Sequence, residues 1–369
     1  MHIIAWYAGS VSPDTRLRDL AELDRPALEE ALAGLGYERF RARQLYQWMY
    51  HRGVTDLSAM TNLPRAMRER LASEFTIGTP TITHRDESVD GTQKFLLRLR
   101  DGRMIESVFI PDTPAMTFCL STQVGCAMAC AFCLTGKMGL VRNLTAGEIV
   151  GQVRVLVDAV SMRTVRFNLV LMGMGEPLHN YDETMKALRI LNDEDGFAIS
   201  PRRITLSTVG LLPALEKLAR EPIMPNLAIS LHAPTDEQRG ALVPINRKYG
   251  VSEIIEACKR FPLKRRSRIT FEYVMLAGIN DRPEDARRLA KLLEGVKSKV
   301  NLIPLNAAAG IPFARPSDEA VSRFAEILAA RYLTVSVRKS RGRDIRAACG
   351  QLIVEGEKRS AAQQLATVL

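Results

Sequence analysis

From residue 145 onward the sequence alternates amphipathic helical stretches with short apolar runs, and this repetition restricts the chain to a parallel α/β architecture. Apolar residues recur at helical spacing over 145–160, 181–193, 211–220, 251–260, 283–294 and 317–330. Between them lie apolar strands at 166–172, 203–207, 227–231, 269–275, 300–303 and 333–337. Repeated strand–helix units build a parallel sheet, as a barrel or an open layer, and place a site at the carboxyl ends of the strands. The unusual residues fall at those ends. They are Gly173-Met174-Gly175-Glu176-Pro177, Ser207-Thr208, Ser230-Leu231-His232-Ala233-Pro234 and Pro304-Leu305-Asn306.

A further apolar run, 116–120, leads into a loop with three of the six cysteines, Cys126, Cys130 and Cys133, spaced C-x3-C-x2-C. Three thiolates so close can wrap one metal centre. Ferredoxin clusters and structural zinc both take four protein ligands. No fourth is local here, and His84 and His179 lie far off in sequence. An iron–sulfur cluster on three cysteines leaves one iron open, and in this the chain resembles the radical S-adenosylmethionine (SAM) enzymes. The resemblance implies a [4Fe-4S] cluster whose open iron takes the amino and carboxylate groups of SAM, and reduction of SAM to a 5′-deoxyadenosyl radical. A zinc site and unreactive thiols are the competing readings. A disulfide does not suit a chain that shows no secretion signal.

At 369 residues the chain is long enough for one large domain and a smaller one. The apolar start, residues 1–10, is too short for a signal or anchor, and no later run approaches the ~20 residues of a membrane helix. A cytoplasmic monomer without a membrane partner is therefore expected. The formal charge of +10 is unevenly spread. Residues 1–80 balance ten Arg against ten Asp or Glu, so 41 basic and 31 acidic residues fall in 81–369. Two clusters, Lys264-Arg265-Arg266-Ser267-Arg268 and Arg338-Lys339-Ser340-Arg341-Gly342-Arg343, point to phosphate backbones, with solvated surface charge as the alternative.

Residues 15–78 read as a small helical domain. Asp24-Arg25-Pro26 opens one helix, 41–51 forms a second with Tyr46 and Trp48, and 64–74 a third. From 80 to 121 the period becomes two. The runs 94–99 and 104–110 flank Asp101-Gly102, a hairpin signal, with Glu106 inside the second strand.

Together with Ser207-Thr208-Val209-Gly210, the cysteine loop, the Gly173 to Pro177 run, the Ser230 to Pro234 run and Ser340-Arg341-Gly342-Arg343-Asp344-Ile345-Arg346-Ala347-Ala348-Cys349-Gly350-Gln351-Leu352 resemble the RlmN family. These are radical SAM methyltransferases that act on adenine C2 of ribosomal and transfer RNA. Phe40-Arg41-Ala42-Arg43-Gln44 and Met60-Thr61-Asn62-Leu63 extend the likeness into the amino domain, over about residues 20–355 in all. The tail after Gly356, read as a fraying helix, falls outside it. Arg343 departs from the acidic or small polar residue of many members.

The fold implied is α/β: a partial (β/α)6 radical SAM barrel, a β-hairpin extension and a small all-helical amino-terminal domain. The boundaries expected are 1–78 for an RNA-holding domain, 79–115 for the extension, 116–340 for the barrel and 341–369 for the carboxyl loop and tail. The resemblance makes Cys349 the methyl carrier, Cys119 the resolving thiol and Glu106 the proton acceptor. It places SAM on Gly175, Glu176, Ser207, Ser230, Leu231, His232 and Asn306, uses two SAM per turnover, and implies a flavodoxin-type reductase system as electron donor. Glu176 suits the SAM ammonium, Ser207 a carboxylate or ribose oxygen, and Asn306 the adenine or ribose. His232 also reads as a hydrogen-bonded structural group, and Cys258 as core. The nearest alternative is the Cfr type, which methylates adenine C8. A more distant one is a non-enzymatic zinc-containing RNA-binding protein.

Overall fold

The computed structural model describes residues 17–111 and 115–354. The apolar start and the tail after Gly356 lie outside the described residues. The amino-terminal part begins with β1 (Arg18–Asp19), then α1 (Arg25–Gly34), α2 (Phe40–Tyr46) and α3 (Arg65–Glu74). Asp24 caps α1 and Pro26 occupies its first turn, as the sequence indicates. At its end α2 widens into a π turn, Gln47–His51, where the successive residues Trp48, Met49 and Tyr50 are all buried. After α3, β2 (Phe75–Thr76) pairs in parallel with β1, so this part is not wholly helical. A two-residue bridge is too short to show as alternation.

Next come β3 (Thr81–Glu87), β4 (Gln93–Arg98), β5 (Met104–Ile110) and β6 (Thr117–Cys119). The expected hairpin, β4–β5, gains β3 on its outer side. That strand escapes a search for apolar alternation because His84, Arg85 and Glu87 are exposed, as charged side chains commonly are on edge strands. The cysteine loop rises from a small separate hairpin, β7 (Gln123–Gly125) and β8 (Leu140–Asn143), with one helical turn, α4 (Leu134–Met138), between them.

The repeat follows: α5 (Ala146–Ala159), β9 (Asn168–Leu171), α6 (Tyr181–Asn192), β10 (Ile204–Thr208), α7 (Leu212–Leu218) and β11 (Asn226–Ser230). It continues with α8 (Asp236–Leu242), α9 (Val251–Arg260), β12 (Ile269–Met275), α10 (Pro283–Leu292), β13 (Ser298–Pro304), α11 (Asp318–Ala329) and β14 (Thr334–Val337). One ten-stranded sheet results, in the order β14-β13-β12-β11-β10-β9-β6-β5-β4-β3. It is parallel from β14 to β6 and antiparallel beyond. The barrel is therefore partial, with β3 and β14 as open edges.

Apolar packing is continuous from Leu20 through the barrel to Val354, so the helices of the amino-terminal part share the barrel's core. Each fully buried leucine there, such as Leu28 and Leu32 on α1, contributes about 1.5–3 kcal/mol. Polar fastenings reinforce the junction. Glu22 accepts from the Gly147 N–H at 2.9 Å at the start of α5, and Arg189 pairs with Asp24 at 2.8 Å. Cys258 is buried in that core, as expected. Among the described residues, no helix is long and apolar enough to cross a membrane.

The two basic clusters part company. Lys264, Arg265, Arg266 and Arg268 are exposed on the loop entering β12, at the strand's amino end and away from the cysteine loop. Arg338 and its neighbours leave the carboxyl end of β14, on the side of the site.

Candidate active site

At the carboxyl ends of the parallel strands lies a cavity of about 150 Å³, walled by Cys126, Cys130 and Cys133 on one side. Gly175, Glu176, Ser207, Ser230, His232 and Asn306 stand on the same wall. Leu231 does not. It is fully buried, its N–H donates to the Glu272 carbonyl at 3.1 Å, and its carbonyl accepts from Arg239.

The cysteine loop is shaped by its backbone. Gly125 has φ +75°, and a Cβ there would lie 1.9 Å from the Gly139 carbonyl oxygen, where the Cys126 N–H donates at 3.0 Å. A Cβ on Gly136 would press on the Cys130 amide at 2.9 Å. All three thiols are free, and burial raises each above the ordinary cysteine range. Among the described residues, no three His, Cys, Asp or Glu side chains gather as around one ion. Zinc, which needs four ligands converging at ~2.3 Å, is therefore poorly served. A polynuclear group held by three thiols would suit the three that line this cavity. Its positive charge would reverse the effect of burial and favour thiolates.

Gly175 has φ +104°, and a Cβ there would meet the Gln123 side chain at 2.6 Å. Gln123 in turn organises the floor. Its amide accepts from the Glu176 N–H at 2.9 Å and donates to Asn143 at 2.8 Å. Gly175→Ala should therefore destabilise the fold by about 2–5 kcal/mol through strain and overpacking. A matching shift of the denaturant midpoint and weaker SAM binding by calorimetry would show it; an unchanged midpoint would refute it.

Glu176 is buried and holds its carboxylate across two loops. It accepts from the Leu178 N–H at 3.0 Å and the Val209 N–H at 2.9 Å. Burial pushes it up to about 7, and these bonds oppose that. Thr208 opposes it most, through its own hydrogen bond to the carboxylate, which lines the cavity. Ser207 and Ser230 face each other at 3.2 Å. Asn306 reaches the Cys349 carbonyl at 3.4 Å. His232 has φ +62°, packs edge-on against Phe132, and accepts from the Val274 N–H through Nδ1 at 3.1 Å. Burial lowers it to about 3, so its ring is neutral.

A second cavity of about 210 Å³ adjoins the first, and Cys119 stands on its wall. Cys349 lines both cavities, as do Met172, Ile303, Asn306 and Arg338. Burial pushes Cys119 up to about 12, and Cys349 adds to the rise while Arg338 opposes it. Arg338 interacts with Cys349, Glu272 and Cys119. The sequence pattern placed it in a phosphate-binding run, but its guanidinium serves the chamber.

The loop that bears Cys349 is pinned at both ends. Asp90 takes the Gly342 N–H at 3.0 Å, and Asp344 accepts from the Ser88 hydroxyl at 2.5 Å. Beyond Cys349, the Leu134 N–H donates to the Gly350 carbonyl at 2.8 Å and the Thr135 hydroxyl to the Leu352 carbonyl at 2.6 Å. Glu106 belongs to this fastening. Its carboxylate accepts from the Ile353 N–H at 2.8 Å and pairs with Lys94 at 3.1 Å, and it lines neither cavity. Burial raises it, against Lys94.

Three positioning groups escaped the sequence reading. Gln123 precedes the cysteine loop and carries no pattern of its own. Arg239, on α8, gathers the carbonyls of Val209 at 2.6 Å and Leu231 at 3.0 Å, joining two strand ends beneath the cavity. Glu272, a lone carboxylate in the apolar strand β12, lines the first cavity and accepts from Asn301 at 2.7 Å. Only Glu272 left a signal: a charge inside a buried strand requires a partner or a purpose.

Comparison with known proteins gives the family. Residues 120–290 match the family model of the radical SAM superfamily, and 18–77 that of the ribosomal RNA large subunit methyltransferase N-terminal domain. The dual-specificity RNA methyltransferase RlmN of Anaeromyxobacter dehalogenans is 52% identical over 344 residues, covering 92% of each chain. RlmN of Geobacter sulfurreducens is 49% identical over 90% of this chain and 91% of its own. A crystal structure of a radical SAM methyltransferase from Sphaerobacter thermophilus superposes with a TM-score of 0.86 at 48% identity, covering 91% of this chain and 99% of that one. With half of its residues shared along nine-tenths of its length, the chain belongs to the RlmN family of radical SAM RNA methyltransferases.

Proposed function

We propose that the chain methylates C2 of one adenine in 23S ribosomal RNA and in the anticodon region of transfer RNAs, with Cys349 carrying the carbon. The observation that supports this most is the position of Cys349 on the wall common to both cavities. Cys126, Cys130, Cys133, Glu176, Ser207 and Ser230 line only the first cavity, and Cys119 only the second. Adenine C2 lies between two ring nitrogens and is electron-poor, so it does not attack a SAM methyl as a nucleophile. Carbon has to be delivered to it.

When bound, the cluster held by Cys126, Cys130 and Cys133 supplies, with SAM and an electron from a flavodoxin-type reductase system, a 5′-deoxyadenosyl radical. Glu176, Ser207, Ser230 and Asn306 would orient SAM in the first cavity. Cys349 first takes a methyl group as a thiolate from one SAM. Its S-methyl carbon then loses a hydrogen atom to the radical from a second SAM and bonds to C2; the adduct gives up one electron, returned to the cluster, and the C2 proton, which goes to Glu106. Cys119 attacks the Cys349 sulfur as a thiolate, a disulfide forms, and the carbon–sulfur bond breaks with its electron pair left on the methylene carbon, which takes a proton to become the methyl group. Leu231 contributes through its backbone, and His232 as a neutral wall. The amino-terminal part, 1–78, would help to hold the RNA.

Glu106 is the proposed acceptor of the C2 proton, and it has to leave the Ile353 amide to act. Glu106→Gln preserves size but cannot take the proton. It should form the RNA adduct and stall there, seen as RNA retained on a denaturing gel; normal turnover would remove Glu106 from this role. Mass mapping of product adenosine tests the whole reading. Methyl at C2 supports it, methyl at C8 indicates the Cfr type, and unmodified RNA with reconstituted enzyme overturns it.

A further inference from the structure

We infer that the second cavity admits the target adenosine as a single nucleotide drawn out of its stack, with one flanking phosphate held by Arg341. This rests on the reading above and adds the residue that receives the RNA. Cys119 is 7% exposed at the cavity wall, so a base still stacked in a helix cannot bring C2 to the two thiols. Enzymes acting on a recessed ring atom draw the base out into a pocket.

The cavity's charge indicates what enters with the base. Among the described residues, Arg338, Lys339 and Arg341 line it, and no Asp or Glu does. Arg338 is answered from the first cavity by Glu272. Lys339 is exposed to solvent. Arg341 differs from both: its Nε is buried and has no hydrogen-bond partner. A desolvated guanidinium N–H left unpaired is costly, and its planar fork matches a phosphate in two-point contact. The backbone beside it is set in advance. Gly342 has φ +62°, a Cβ there would strike Ala347 at 2.7 Å and Thr92 at 2.9 Å, and its N–H is held by Asp90. Arg341 therefore waits at a fixed place on the rim for an anion that the described protein does not supply.

The test uses an RNA hairpin with an unpaired target adenosine and two versions in which the phosphate on either side of it is a neutral methylphosphonate. Wild-type enzyme should lose roughly tenfold or more in KM with one of the two versions. Arg341→Ala should lose a similar factor on native RNA and less than about twofold more on that version, the non-additivity that marks a direct contact. Its slope of log affinity against log salt should fall by about 0.7, one phosphate on a single strand. Arg341→Lys, which keeps the charge without the fork, should fall between and guards against misfolding. Additive losses with both neutral phosphates, in either variant, would overturn the assignment. Failure of the wild type to place methyl at C2 of the native hairpin would instead refute the underlying reading.

Discussion

Cys119→Ala should accumulate RNA covalently bound to the protein through Cys349, whereas Cys349→Ala should form no adduct and leave RNA unmodified. The difference follows from where the two thiols stand. Cys349 reaches both cavities and can be methylated from one and deliver to the other; Cys119 reaches only the second. Without Cys119 every step up to carbon–carbon bond formation remains open, and only the attack on the linking sulfur is lost. For that attack to end in a disulfide, the two Cα atoms must come within roughly 4.4–6.8 Å. The fold spans the 230 residues between them by bringing the carrier loop to the carboxyl end of β6, where Cys119 sits. On a denaturing gel the variant should shift with RNA attached, and ribonuclease should collapse the shift. Turnover should fall by several orders of magnitude after the first event. Normal multiple turnover by Cys119→Ala without trapped RNA would refute the division of labour.

Alanine at Cys126, Cys130 or Cys133 should each remove bound iron, the broad visible absorbance and SAM cleavage, while circular dichroism remains that of the native fold. If all three hold the cluster, the loss of any one leaves an iron without its protein ligand. The loop's shape, by contrast, depends little on sulfur. Cys126 is fixed by its N–H on Gly139, Ala131 by its N–H on the Leu242 carbonyl, and Met128 and Phe132 pack into their own apolar cluster. Removing one buried sulfur should cost about 1 kcal/mol of stability. Full iron content and SAM cleavage in any one variant would show that cysteine to be no ligand.

The sequence reveals most where side chains obey one simple demand. The strands from β9 to β13 are largely apolar because helices cover them, and their ends gather the glycines, serines and Asn306 that wall the first cavity. It reveals least where a residue acts against type. Arg239 is fully buried, although arginine almost always reads as surface. Arg338 sits in a basic run whose other members face solvent or the rim, so periodicity could not separate it from them. Glu106 matched a family position, yet its present partners, Lys94 and Ile353, come from a neighbouring strand and from the far end of the chain. No local pattern carries such information, because the contact exists only after the sheet and the carboxyl segment have met.

The placement of the carrier loop's second fastening has a kinetic meaning. Gly350 is tied to Leu134, and Cys349 is the residue immediately before it, so the Cys349 α-carbon stays near one spot. If Cys349 carries the carbon, its sulfur would change chambers as a turnstile does, by rotation about its own χ1 bond. Side-chain rotations belong to the picosecond-to-nanosecond range, against microseconds or longer for collective domain motions. On the proposed mechanism, that turn is therefore not what sets the pace. The pace is left to the bond-making steps and to the traffic on either side: the exit of spent cofactor from one chamber and the arrival of RNA in the other.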